Sequence, residues 1–204
     1  MKQINNYGCD FMDKIVLASS SPRRKEILDK YNINYSIMPS YIKEYTNIGE
    51  TPEQITMSLA YEKALDVANK LNDNEIIIAA DTIVYFDNDI LGKPKDYKEA
   101  YDMLKSLSDH HHYVITGVAI IKQNTDFKII DYEKTKVVFR KLSDRLIKNY
   151  LDSGEYVDKA GAYAIQGKGE IFVKSIEGCY SNVVGLPITK LDMLLEKYFN
   201  ISLL

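Results

Sequence analysis

The chain has 204 residues, 46% of them hydrophobic and 27% charged, with a formal net charge of −3. That length can bury a substantial core and reads most simply as one domain; no apolar run has membrane-spanning length, and no signal-peptide pattern is visible. The negative balance weighs against a protein that neutralises many phosphates of a nucleic acid, while leaving room for one small polyphosphate in a local basic pocket.

Residues 1–11 are polar and irregular and are expected to form a disordered N-terminal extension, with a single domain over 12–204. Ile15 to Ala18 reads as a short buried strand running into Ser19-Ser20-Ser21. Ser21 is the predicted N-cap of a helix with Pro22 at its first position, and Ile27, Leu28 and Tyr31 supply its apolar face. Tyr35 to Met38 alternates like a second strand, followed by a loop over Pro39 to Gly49 that carries Glu44. Thr51-Pro52-Glu53-Gln54 is a capping box opening a helix as far as Leu71, with Ile55, Leu59, Leu65 and Val67 among its apolar positions.

Glu75 to Ala80 contains Ile76-Ile77-Ile78-Ala79-Ala80, the continuous apolar run of a central strand covered on both faces, with Asp81 directly after its end. Ile83 to Phe86 and Ile90-Leu91 flank a hairpin-like turn at Asp87-Asn88-Asp89. Gly92-Lys93-Pro94-Lys95 is a loop, and Asp96 with Glu99 caps a helix to Leu107. Tyr113 to Lys122 and Lys128 to Phe139 predict two long antiparallel strands. A helix from Ser143 or Asp144 to Asp152 is stopped by Gly154; short strands and tight glycines fill Ala160 to Val184, and a final helix covers Lys190 to Phe199. This order of elements predicts an α/β fold with a large mixed sheet.

Chemistry concentrates in a few places. Arg23 and Arg24 stand in a first helical turn, facing the positive end of the dipole, where an anion held with the serine hydroxyls would reverse the sign of the interaction. Two solvated arginines on a surface helix are the alternative. Asp81, beyond a central strand, can hold a divalent metal or take a proton from an attacking water; a turn-initiating aspartate is the plainer reading. Lys63 and Lys93 are potential phosphate contacts that would each pass alone for a surface lysine, and Glu44 could complete a Mg²⁺ site with Asp81. In Gly161-Ala162-Tyr163-Ala164-Ile165-Gln166-Gly167 the small residues admit a flat ligand, and the Gln166 amide matches the O4 acceptor and N3–H donor of uracil or thymine. A glycine-rich hairpin with an incidental polar residue is the other reading of that stretch. His110-His111-His112 reads as a solvated loop, because three consecutive imidazoles cannot easily face one ion. Cys9 and Cys179 lack metal-ligand spacing and fit a reducing cytoplasm, the expected location. P-loop, dinucleotide and nucleophile-elbow motifs are absent.

Taken together, six segments resemble the Maf family of nucleotide pyrophosphatases, also described as septum formation inhibitor proteins. They are Leu17 to Arg24, Glu62-Lys63-Ala64, Ala80-Asp81-Thr82, Gly92-Lys93-Pro94, Asp158 to Gly167 and Asn182 to Pro187, in family order over nearly the whole chain. The resemblance implies a large twisted mixed sheet flanked by helices, in two lobes with a central cleft, related to inosine triphosphate pyrophosphatases. It implies hydrolysis of nucleoside triphosphates to monophosphate and pyrophosphate with a divalent cation, Mg²⁺ or Mn²⁺. Carried onto this chain, Asp81 is the proton acceptor and, with Glu44, a metal ligand; Ser19, Ser21, Arg23, Arg24, Lys63 and Lys93 bind the triphosphate. Arg23, Thr82 and Gln166 match the dTTP/UTP-selective branch. Lys43-Glu44 departs from the two acidic residues common in relatives, which bears on the metal role of Glu44.

The expectation is thus a cytoplasmic enzyme taking a nucleoside triphosphate, with neither nucleic acid nor membrane as partner; a homodimer is one expectation for its assembly. Two alternatives stand beside it: a purine- or 7-methyl-GTP-selective pyrophosphatase of the same fold, and a regulator of septation that binds nucleotide or protein without turnover.

Overall fold

The computed structural model describes residues 14–44 and 49–204. The extension assigned to residues 1–11, Cys9 and part of the loop after Pro39 lie outside the described residues. Among those described, seven strands form one mixed sheet in the order β2-β1-β3-β5-β6-β7, with β4 paired to β3. β1 (Ile15–Leu17) runs parallel to both β2 (Tyr35–Ile37) and β3 (Ile76–Phe86). The rest is antiparallel: β4 (Asp89–Leu91) and β5 (His111–Lys122) flank β3, β6 (Lys128–Phe139) follows β5, and β7 (Val173–Glu177) closes the edge. The expected large mixed sheet flanked by helices is therefore present.

Side-chain alternation gives each face its own core. On one face Val16, Ala18, Ile77, Ala79, Ala119 and Ile121 pack beneath Ala60, Ala64, Val67 and Ala68 of α2 (Pro52–Ala68). The other face is larger: Leu17, Ile78, Ala80, Val118 and Ile120 lie under α1 (Pro22–Leu28), α3 (Tyr97–Leu107) and α4 (Asp144–Leu151). The short α5 (Tyr180–Val184) and the final α6 (Ile188–Phe199) complete that layer, with Leu191 and Leu195 buried. The capping box of α2 forms as expected: Thr51 Oγ1 accepts from Gln54 N–H at 3.3 Å and Gln54 Oε1 from Thr51 N–H at 2.9 Å. That helix ends at Ala68, short of Leu71, and Leu65 on its outer side is 38% exposed.

Three expectations need correction. Asp81 does not follow a strand that ends at Ala80. β3 continues through it to Phe86, because β5 offers an unbroken partner in which Asp81 pairs with Gly117 and Thr82 with Thr116. His110-His111-His112 is not a solvated loop: His111 and His112 open β5, and alternation turns His112 into the core, 1% exposed, with Nε2 2.7 Å from Tyr163 Oη. Ala160 to Val184 is not a set of short strands. It holds 3-10 turns at Ala160–Ala162 and Lys168–Phe172, the single strand β7 and helix α5, because left-handed φ angles at Gly161, Ala162 and Gly178 break extended runs.

Gly117 lets α2 lie against the sheet beside Asp81. A Cβ built there would stand 2.2 Å from the Thr56 carbonyl oxygen. Gly117→Ala should lower stability by about 1–3 kcal/mol through overpacking, read as a drop in the denaturation midpoint; an unchanged midpoint would show that the helix does not press on the strand. His112 supplies a second prediction. Burial, with the His111 charge secondary, lowers its pKa to about 3. Between pH 6.5 and that value the unfolded chain binds a proton that the folded chain excludes, so stability falls on acidification by up to about 1.4 kcal/mol per pH unit. His112→Gln should flatten this slope in denaturation measured between pH 5 and 7, above the range where carboxylates titrate in the unfolded chain.

Candidate functional site

The site is built where β1 hands over to α1, and where β3 passes between the two cores. Ser21 occupies the N-cap position of α1, yet its side chain makes no capping bond. Ser19 Oγ accepts from Ser21 N–H at 3.2 Å instead, and also from Arg24 Nη1 at 3.2 Å. Arg24 completes its fork with Nε donating to the Gly185 carbonyl at 2.8 Å and Nη2 to Thr82 Oγ1 at 3.1 Å. Thr82 Oγ1 also lies 3.0 Å from Thr116 Oγ1. Among the described residues the Arg24 guanidinium bonds a carbonyl and two hydroxyls and no carboxylate. Burial lowers its pKa from the usual arginine value, opposed by the Asp81 charge. A half-buried cation without a counter-ion in contact is costly, a cost that an anion placed against it would offset.

The Gly185 carbonyl that receives Arg24 is placed by Asn182, which is fully buried and donates through Nδ2 to Val114 O at 3.0 Å and Thr135 Oγ1 at 2.9 Å. Gly185 itself holds φ 123°, a conformation that favours glycine. Neither Gly185, Thr116 nor Asn182 was a predicted site residue, although Asn182 and Gly185 lie inside a matched segment; a contact made through a main-chain carbonyl leaves no side-chain signature in sequence.

On the α2 face of β3, Lys63 Nζ bridges Asp81 Oδ1 at 2.5 Å and Glu44 Oε1 at 2.7 Å. Lys63 and Asp81 are largely buried, whereas the Glu44 side chain is 55% exposed. Adjacent residues of one strand therefore serve opposite faces: Asp81 meets Lys63 and Thr82 meets Arg24. Among the described residues the second Asp81 carboxylate oxygen has no hydrogen-bond partner. Glu44 and Asp81 are two carboxylates able to hold a cation, and no group of three or more His, Cys, Asp or Glu converges to hold a metal among those residues. One or two carboxylates are what Mg²⁺ commonly takes, its shell completed by water and substrate phosphates, and here the Lys63 ammonium lies between the two.

A third cluster lies around Arg23. Burial lowers its pKa, while the nearby charges of Glu26 and Asp158 oppose the shift. Lys93, 68% exposed at its side chain, stands 3.9 Å from Asp158, and the Gly92 carbonyl accepts from Gly161 N–H at 3.1 Å, joining the Lys93 loop to the 158–167 segment. Lys159, which was not among the predicted site residues although it lies in the matched 158–167 segment, is half-buried there, its pKa lowered by burial and then by the Arg23 charge. Gln166 is exposed, with Nε2 donating to Glu26 Oε2 at 3.2 Å. The 158–167 segment carries left-handed φ at Asp158, Gly161 and Ala162. Such backbone in a non-glycine residue costs about 1–2 kcal/mol and persists where surrounding structure imposes it. Tyr150 is part of that support, its Oη accepting from Ala164 N–H at 3.2 Å.

The structure thus brings Ser19, Arg24 and Thr82 into one hydrogen-bonded set, and Glu44, Lys63 and Asp81 into another. Arg23 lies within charge range of Glu26, Asp158 and Lys159. Ser21 lies beside the first set with no side-chain bond among the described residues, and Lys93 stands at the outer rim.

The chain is 51% identical over 189 residues to a protein named dTTP/UTP pyrophosphatase from Clostridioides difficile, covering 93% of this chain and 97% of the relative. It is also 51% identical over 193 residues to one of the same name from Alkaliphilus oremlandii, covering 95% of this chain and 100% of that one. Among solved structures it matches the Staphylococcus aureus Ham1 protein at 15% identity and a TM-score of 0.45, over 62% of this chain and 72% of that one. The family model described as Maf-like protein matches residues 14–198, and the chain belongs to that family.

Proposed function

We propose that this protein hydrolyses nucleoside triphosphates, dTTP and UTP foremost, to the monophosphate and pyrophosphate. The observation that carries the reading is Arg24, a half-buried guanidinium locked without a carboxylate by Ser19, Gly185 and Thr82, the β3 residue that follows Asp81. A site with strong fixed positive charge and one carboxylate oxygen left open is suited to phosphoryl chemistry, where electrostatic stabilisation of developing charge dominates. The curated relatives named dTTP/UTP pyrophosphatase support the same substrate class.

In this mechanism the triphosphate lies among Arg23, Arg24, Lys63 and Lys93, with the Ser19 and Ser21 hydroxyls as further contacts. Asp81 accepts a proton from water as the water oxygen bonds to the α-phosphorus. The bridging oxygen between α and β phosphorus leaves with the bonding electrons as part of pyrophosphate. Lys63, held by Asp81 and Glu44, sits where it can offset charge gathering on the phosphoryl oxygens. A divalent cation held by Asp81 and Glu44 would neutralise phosphate charge as a Lewis acid. Gln166 reads the base through its amide, and Arg23 and Thr82 fix the neighbouring phosphate-side geometry. The chain acts as a cytoplasmic protein in this reading; no described helix is long and apolar enough to cross a membrane.

The test is pyrophosphate release from dTTP, UTP, CTP, ATP, GTP and 7-methyl-GTP, with Mg²⁺, with Mn²⁺ and with chelator. Release from dTTP and UTP that stops on chelation is the expected result. A purine preference would keep the reaction and sink the base assignment. No release from any nucleotide, with dTTP still bound, would favour a nucleotide-binding regulator of septation. Asp81→Asn should lower kcat by about 10²–10⁴-fold while leaving the melting profile folded; near-normal turnover in that variant would remove Asp81 from the mechanism.

A further inference from the structure

We propose that Glu26 is a positioning residue for base selection, fixing the Gln166 amide so that uracil or thymine is accepted and cytosine refused. The inference rests on the reading of Gln166 as the base-recognising group and adds the device that gives that amide a direction.

Gln166 follows Ile165, which is 4% exposed, and precedes Gly167, whose φ of 147° turns the chain away. Its side chain therefore projects from the end of a buried segment. Its Nε2 donates to Glu26 Oε2 at 3.2 Å, across 140 residues of sequence. Glu26 lies on α1 three residues after Arg23, on the same helix face, and the two charges attract. The carboxylate is thus set between a guanidinium and an amide.

A carboxylate only accepts hydrogen bonds, whereas an amide has one accepting and one donating end. With Glu26 present, the nitrogen end of Gln166 must face it, since the flipped amide would set Oε1 against a carboxylate oxygen. One N–H hydrogen is used by Glu26. The second, together with Oε1, remains for a ligand. Uracil and thymine present an N3–H donor to Oε1 and an O4 acceptor to the remaining N–H. Cytosine presents the reverse pattern, a bare N3 and a 4-amino donor. Binding it the same way requires the flip that Glu26 opposes. An unaided glutamine can serve either base, so the selectivity lies in the pair.

The experiment compares wild type with Glu26→Gln and Glu26→Ala, measuring calorimetric dissociation constants for the α,β-methylene analogues of UTP and CTP. Glu26 is exposed, so neither substitution disturbs a core. Wild type should favour the UTP analogue by about tenfold or more, the scale of one charge-supported hydrogen bond, and both variants should bring the ratio close to unity. An unchanged ratio in the variants, equal weakening of both analogues, or a wild type without preference would each overturn the proposal. Pyrophosphate release from UTP is measured on the same wild-type preparation. No release, with the analogue preference intact and lost in the variants, would sink the hydrolase reading while supporting the role of Glu26.

Discussion

The close approach of α2 to β5 at Gly117 is the constraint on which the rest of the site depends. Without a side chain at that position, the Thr56 carbonyl rests on the sheet where any Cβ would intrude. The approach brings Lys63 of α2 within reach of Asp81, the residue paired with Gly117 across the ladder. A carboxylate and an ammonium can then meet at the edge of an otherwise apolar layer built from small residues, Ala60 and Ala64 on the helix and Ala79 and Ala119 on the strands. Larger side chains there would lift the helix and part the ion pair.

Electrostatically the site is built at a cost to the fold. Arg24 is hydrogen-bonded to neutral acceptors, burial disfavours the charge on both Arg23 and Lys159, with the Arg23 charge adding to the effect on Lys159, and Lys63 alone holds two carboxylates. Natural proteins keep such arrangements where function needs preorganised charge, because donors fixed in advance need no rearrangement as charge develops. The stability that offsets them comes from two independent apolar cores and from main-chain supports such as Asn182 under Gly185.

Much of this was legible in the residues. Apolar runs at Ile15 and Ile76 and β-rich segments from Tyr113 and Lys128 marked four of the strands, and the capping box at Thr51 marked the start of the longest helix among the described residues. Asp81 was misplaced for a physical reason: a charged residue after an apolar run reads as a terminus, and only the pairing with β5, where Asp81 stands opposite Gly117, carries the strand through it. His112 was misread because three histidines look uniformly polar, whereas a strand sends neighbours to opposite sides. The stretch from Ala160 to Val184 defeated periodicity because its conformation is set by left-handed residues and long-range supports such as Tyr150. Lys159 and Gly185 reach Arg23 and Arg24 only through proximity in space, which no spacing rule records.

The opposed directions of Asp81 and Thr82 carry a consequence for how this chain can change over evolutionary time. Inserting or deleting one residue within β3 ahead of them would exchange their directions, setting the carboxylate toward Arg24 and the hydroxyl toward Lys63. Length variation in this lineage should therefore be excluded from the segment between Ile76 and Thr82. The tight turn at Asp87-Asn88, beyond the last residue with a chemical partner in the site, is where gaps can accumulate without loss of fitness.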